Sequence, residues 1–133
     1  MLSRAFMCAL MVSAILLLTG IGAGAETFYT GNDLFLDCIA LERSALNPAQ
    51  TPITEQGAVL RQGLCGGMVS GVHYMVSTFR PELEDLKICL PEKTTDGQML
   101  SVVVQWLKAH PEQRAERFHR LVIHAMQAAW PCR

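Results

Sequence analysis

Thr95-Asp96-Gly97-Gln98-Met99-Leu100-Ser101-Val102-Val103-Val104-Gln105-Trp106-Leu107 is the stretch on which the fold turns. Three consecutive valines are strand material in isolation. The residues around them overrule that. Thr95 followed by Gln98 is the pair that satisfies two orphan amides at a helix start. Met99, Val102, Val103, Trp106 and Leu107 then recur at i, i+3, i+4, i+7 and i+8, which lines one face of a helix. Downstream, Pro111 stops this helix and suits the first position of the next, where its missing N–H costs nothing. In that next helix Phe118, Leu121, Val122, Ala125, Met126 and Ala129 repeat the spacing, with Arg114, Arg117 and Arg120 on the opposite face. Pro131-Cys132 closes it.

Upstream, a charged loop spans residues 80–93 and contains Pro81, Glu82, Glu84, Asp85 and Cys89-Leu90-Pro91. Before it, residues 56–79 keep helical periodicity through Leu64, Cys65, Met68, Val69, Val72, Met75, Val76 and Phe79. Gly63, Gly66, Gly67 and Gly71 interrupt the interior of this helix, at a cost of about 0.5–1 kcal/mol each relative to alanine. Gly63, Gly67 and Gly71 fall at i, i+4 and i+8 and form one smooth strip. The spacing predicts close approach of another helix backbone, within the chain or across a homodimer. A first helix, residues 32–44, follows the Thr30/Asp33 cap and carries Leu34, Cys38 and Leu41 on one face. A proline-bounded loop, residues 48–54, separates it from the second. The fold class expected is all-α: a compact bundle of about four main helices, stapled by two disulfides.

Composition narrows the function. The chain has 133 residues, half of them hydrophobic, with 11 Lys and Arg against 12 Asp and Glu. That length fits one domain, and that hydrophobicity excludes a disordered chain. The absence of a basic stripe argues against nucleic-acid binding. Residues 1–25 read as a cleaved signal peptide: Arg4, an apolar run from Ala5 to Leu18, then Ala23-Gly24-Ala25 before Glu26. The run is too short to span a bilayer, so no membrane association is expected after cleavage. The domain division is thus residues 1–25 as signal and 26–133 as a single helical domain. Loss of Arg4 leaves 10 basic against 12 acidic groups, a net charge of −2.

Export sets the reading of the cysteines. Cys8 leaves with the signal, and Cys38, Cys65, Cys89 and Cys132 remain, an even number in an oxidising compartment. The favoured pairing is Cys38–Cys65 with Cys89–Cys132; Cys38–Cys132 with Cys65–Cys89 stays open. Two such bridges stabilise by roughly 3.5 and 4 kcal/mol on the chain-entropy estimate. No C-x-x-C, C-x-x-C-H or H-E-x-x-H pattern occurs, so no zinc, haem or other cofactor is expected. Cys65 and His73 lie two turns apart, too far for a nucleophile–base pair. His73, His110, His119 and His124 show no convergent ligand spacing. No catalytic constellation emerges, which shifts weight from an enzyme to a binding protein.

A resemblance then sharpens this. Gly31-Asn32-Asp33-Leu34 with Cys38, Cys65-Gly66-Gly67-Met68-Val69-Ser70-Gly71, Cys89-Leu90-Pro91, residues 98–107, His110-Pro111-Glu112, Leu121-Val122 and Trp130-Pro131-Cys132 together resemble the Rap/Tai family of type VI secretion amidase immunity proteins. The likeness extends from Thr30 to Cys132. Cys65-Gly66-Gly67-Met68 departs from it, since an aromatic such as tyrosine is common there in relatives. The resemblance implies a periplasmic, often homodimeric helical protein that binds and blocks a peptidoglycan amidase effector. Such an inhibitor gains from a stiff scaffold that loses little entropy on docking. The toxin-facing loop varies in this family, so the choice of loop rests on this sequence. Residues 80–87 are favoured, with Arg80, Glu82, Glu84, Asp85 and Lys87 as partner-binding residues, because the loop is charged and tethered beside Cys89. Residues 48–54 come second. The competing function is a small helical periplasmic stress protein or acid-type chaperone.

Overall fold

The computed structural model describes residues 28–47 and 56–132. Residues 1–25, expected to be a signal peptide, and the loop expected at residues 48–54 lie outside the described residues. Among the described residues there are four helices: α1 (Gly31–Leu46), α2 (Gln56–Thr78), α3 (Asp96–Ala109) and α4 (Phe118–Ala129). Short 310 turns at Glu84–Leu86 and Pro111–Gln113 sit between α2 and α3 and between α3 and α4. Among the described residues the only β-type pairings are two isolated bridges, Thr30 with Arg117 and Ile88 with Pro131.

Both expected caps form. Thr30 Oγ1 accepts from the Asp33 amide at 3.3 Å while Asp33 Oδ2 accepts from the Thr30 amide at 2.7 Å. The Thr95–Gln98 pair does the same, at 3.2 and 2.9 Å. Asn47 and His110 close α1 and α3 by returning their amides to the carbonyls of Arg43 and Trp106. The triple-valine run is therefore helical because its first turn is fixed on both sides.

Helix α3 packs against each of the other three helices. Its Met99, Val103, Val104 and Leu107 are wholly buried, as are Phe118, Leu121, Val122, Ala125 and Met126 of α4. Leu34 and Cys38 of α1, Cys65, Val69, Val72 and Val76 of α2, Leu90 and Leu100 complete the core. The favoured disulfides are present. Cys38–Cys65 joins α1 to α2 with Cα atoms 5.5 Å apart. Cys89–Cys132 joins the loop before α3 to the chain after α4, at 4.9 Å.

Three features depart from the sequence reading. Pro111 opens a 310 turn, and α4 begins only at Phe118. The intervening backbone is taken by the chain leading into α1. Gly31 N–H donates to Glu116 O at 3.1 Å, Asn32 N–H to Arg114 O at 2.9 Å and Phe118 N–H to Tyr29 O at 2.8 Å. Arg114 is thus outside α4. Its Nε donates to Leu107 O at 2.7 Å, and its guanidinium lies 3.7 Å over the Phe35 ring.

Second, the glycine strip does not meet another helix among the described residues. A Cβ built on Gly63, Gly67 or Gly71 finds nothing within 4 Å. The α2 glycine that faces a helix is Gly66, whose Cβ would sit 3.0 Å from Leu41 of α1. Third, Met75 and Phe79, counted on the apolar stripe from their spacing, are 37% and 49% exposed. The core ends at Val76, and the last turn of α2 runs beyond it.

Candidate partner-binding surface

The chain leaves α2 through a tight turn. Leu83 N–H donates to Phe79 O and Arg80 O, Leu86 N–H to Leu83 O, and Lys87 N–H to Glu84 O. Lys87 ends the 310 turn with φ 54° and ψ 38°, a left-handed conformation that is uncommon for a side-chain-bearing residue. This reversal sends the backbone back toward α4. Cys132 N–H then donates to Lys87 O at 3.0 Å and Cys89 N–H to Trp130 O at 2.8 Å, on either side of the Ile88–Pro131 bridge.

Two side chains add ties. Gln127 Nε2 donates to Leu86 O at 2.8 Å. Arg80 Nη2 donates to Leu90 O. Leu86 and Ile88 are half-buried against the core. The loop is therefore held by backbone, side-chain and disulfide links, which lowers the ordering entropy a partner must overcome.

What the loop presents is acidic. Glu82, Glu84 and Asp85 are exposed, and no ion pair or hydrogen bond engages their carboxylates among the described residues. Lys87 is exposed beside them. The structure thus gathers all five residues expected from the sequence into one short loop, with Arg80 also fixing its shape. Next to it Tyr74, Met75 and Phe79 at the end of α2 are 69%, 37% and 49% exposed. Sequence reasoning missed this apolar group, because helical spacing placed Met75 and Phe79 inside. Aromatic and methionine side chains are the types that protein interfaces favour.

A groove of about 740 Å3 lies on the other side of the Cys89–Cys132 clasp. Leu46, Pro91, Leu100, Val102 and Trp130 line it, with Lys93 among the polar residues. The acidic side chains of the loop do not reach it.

Three of the four histidines have structural contacts, and His119 is exposed on α4. His73 Nδ1 lies 2.7 Å from Asp96 Oδ1, joining α2 to the first turn of α3. This hydrogen bond holds the Asp96 carboxyl below its ordinary range, against the opposing effect of burial and with a lesser contribution from Ser70. Asp33 is likewise lowered, by its bonds to the Thr30 backbone and hydroxyl. His110 stacks on Trp106 at 4.3 Å and its Nδ1 donates to Trp106 O. His124 meets the edge of the same ring. Among the described residues no three His, Cys, Asp or Glu side chains gather to hold a metal ion. No described helix is long and apolar enough to cross a membrane.

Comparison with known proteins now bears on this arrangement. Neither a curated protein nor a solved structure matches the chain. A model of the family described as Rap1a immunity proteins matches residues 30–132, from the cap of α1 to the last cysteine of the clasp. On that match across nearly all of the described residues, the chain belongs to the Rap1a immunity protein family.

Proposed function

We propose that the mature chain is a periplasmic immunity protein that binds and blocks a peptidoglycan amidase effector of a type VI secretion system. The observation that carries this is the family match over residues 30–132. The two disulfides support an oxidising compartment, and residues 1–25 supply the export signal. Inhibition works by occupancy: a preorganised acidic loop, with Glu82, Glu84 and Asp85 uncommitted, docks on a complementary basic rim and covers the cleft. Met75 and Phe79 supply apolar contact beside it. Co-production of the amidase encoded beside this gene, exported with and without the protein, tests the reading. Rescue from lysis supports it; lysis at equal expression, with no complex recovered, contradicts it.

The working unit in this reading is a homodimer that uses the open face of α2. That helix carries one formally charged residue, Arg61, in 23. Leu60 and Tyr74 are 67% and 69% exposed along the side where the glycines are bare. A helix apolar all round is one that is covered on all sides. Two copies crossing here meet without charge repulsion. Sedimentation of the mature protein is expected to give a dimer, and a monomer at micromolar concentration would remove this part of the reading.

A further inference from the structure

The two disulfides sit in opposite surroundings. Cys38 and Cys65 are completely buried between α1 and α2. Cys89 is exposed and Cys132 half-buried. A hollow of about 180 Å3 opens against both, walled by Val76, Arg80, Leu83, Glu84 and Ile88. Thiol–disulfide exchange needs a thiolate to reach a sulfur, so access decides which bridge reacts first. Arg80 lines this hollow, and a cation there favours the thiolate that must leave; Glu84 works against it.

The consequences of opening also differ. Cys38 and Cys65 belong to the buried core, whereas Cys89 and Cys132 do not. What the second bridge secures is local: the Cys89–Trp130 and Lys87–Cys132 backbone bonds and the Ile88–Pro131 pairing. These are the ties at the far end of the acidic loop.

We propose that Cys89–Cys132 is a reducible latch on the acidic loop. A dithiol reductant opens it ahead of Cys38–Cys65, and the opened protein keeps its helices but holds its protein partner more weakly. The last clause rests on the partner-binding reading of the loop. The chemistry is two successive exchanges. A thiolate of the reductant attacks one cysteine sulfur, the S–S bond breaks, and a mixed disulfide forms. The reductant's second thiolate then attacks the reductant sulfur of that mixed disulfide, releases the bound cysteine as a thiolate, and leaves the reductant as a cyclic disulfide. Two electrons pass to the protein, and both cysteine sulfurs end as thiols after taking up two protons.

Graded dithiothreitol on the oxidised mature protein, quenched with iodoacetamide and mapped by peptide mass, tests the order of opening. Far-UV dichroism, amide exchange over residues 83–89 and affinity for the cognate amidase are read on the same samples. Cys89 and Cys132 are expected to label at least about tenfold sooner than Cys38 and Cys65. Helicity is expected to hold, the loop amides to exchange faster, and affinity to fall several-fold. The double variant Cys89→Ser with Cys132→Ser is expected to reproduce this without reductant. Labelling of all four cysteines together with loss of helicity overturns the proposal. So does earlier labelling of Cys38 and Cys65, or unchanged loop exchange after the latch has opened. A loosened loop with undiminished affinity overturns the binding clause. If the intact protein binds no amidase, the proposed function fails, and labelling and exchange alone then decide the latch.

Discussion

A methyl group at Gly31 would fall 2.5 Å from Leu121 Cδ1 and 3.0 Å from the Arg114 carbonyl oxygen. The Arg114 backbone cannot yield without losing its bond to the Asn32 amide. Gly31→Ala is therefore expected to destabilise by about 1–3 kcal/mol, as overpacking does, measured by urea unfolding. Gly67→Ala carries the opposite sign: its Cβ meets nothing, and helix propensity gains about 0.5–1 kcal/mol wherever the chain is monomeric. Local sequence marks both as glycine and tells them apart in neither case, because the deciding neighbours are 83 and more residues away or absent. Asp96 gives a pH effect. Its carboxyl is lowered in the folded state by His73, so the stabilisation is full above the unfolded value near 4 and fades as pH falls below it. Asp96 is 62% exposed, which limits the effect to at most about 1 kcal/mol. Between pH 5 and 2 the wild type is expected to lose more stability than Asp96→Asn; equal slopes would contradict this.

At the scale of elements, the caps were legible and the ends were not. Thr30/Asp33 and Thr95/Gln98 are contained within four residues each, so the sequence displays them whole. The late start of α4 depends on the chain around Gly31 claiming the carbonyls of Arg114 and Glu116, a pairing that spacing does not encode. The acidic loop shows the same division. Its charges were evident from composition and place, whereas its stiffness comes from Leu90 and Gln127, which lie 10 and 41 residues from the groups they bond. Two outcomes follow for this loop. Glu82→Gln, Glu84→Gln and Asp85→Asn combined is expected to leave the unfolding midpoint unchanged and to weaken partner affinity about tenfold or more at low salt, less at high salt. Arg80→Ala is expected to accelerate amide exchange at Leu83, Leu86 and Lys87 while the helices stay protected.

For the whole molecule, architecture follows from four helices that each pack against the other three. Each residue of α3 that is wholly buried touches a bundle already tied by two crosslinks, so Leu107→Ala is expected to cost about 2–5 kcal/mol without changing the fold. The periodicities made the four-helix class readable, and even cysteine count with export made the disulfides readable. The apolar face of α2 was readable as unusual, but a single chain supplies no surface to cover it. In the proposed function, a protein crosslinked by two disulfides, with loop carboxylates that have no partner among the described residues, acts by filling a site on another protein. Titrating the purified protein, residues 26–133, into the amidase proposed as its partner while following muropeptide cleavage measures this directly. The account predicts that activity falls linearly to zero at one immunity chain per amidase; cleavage that persists at a large molar excess would contradict it.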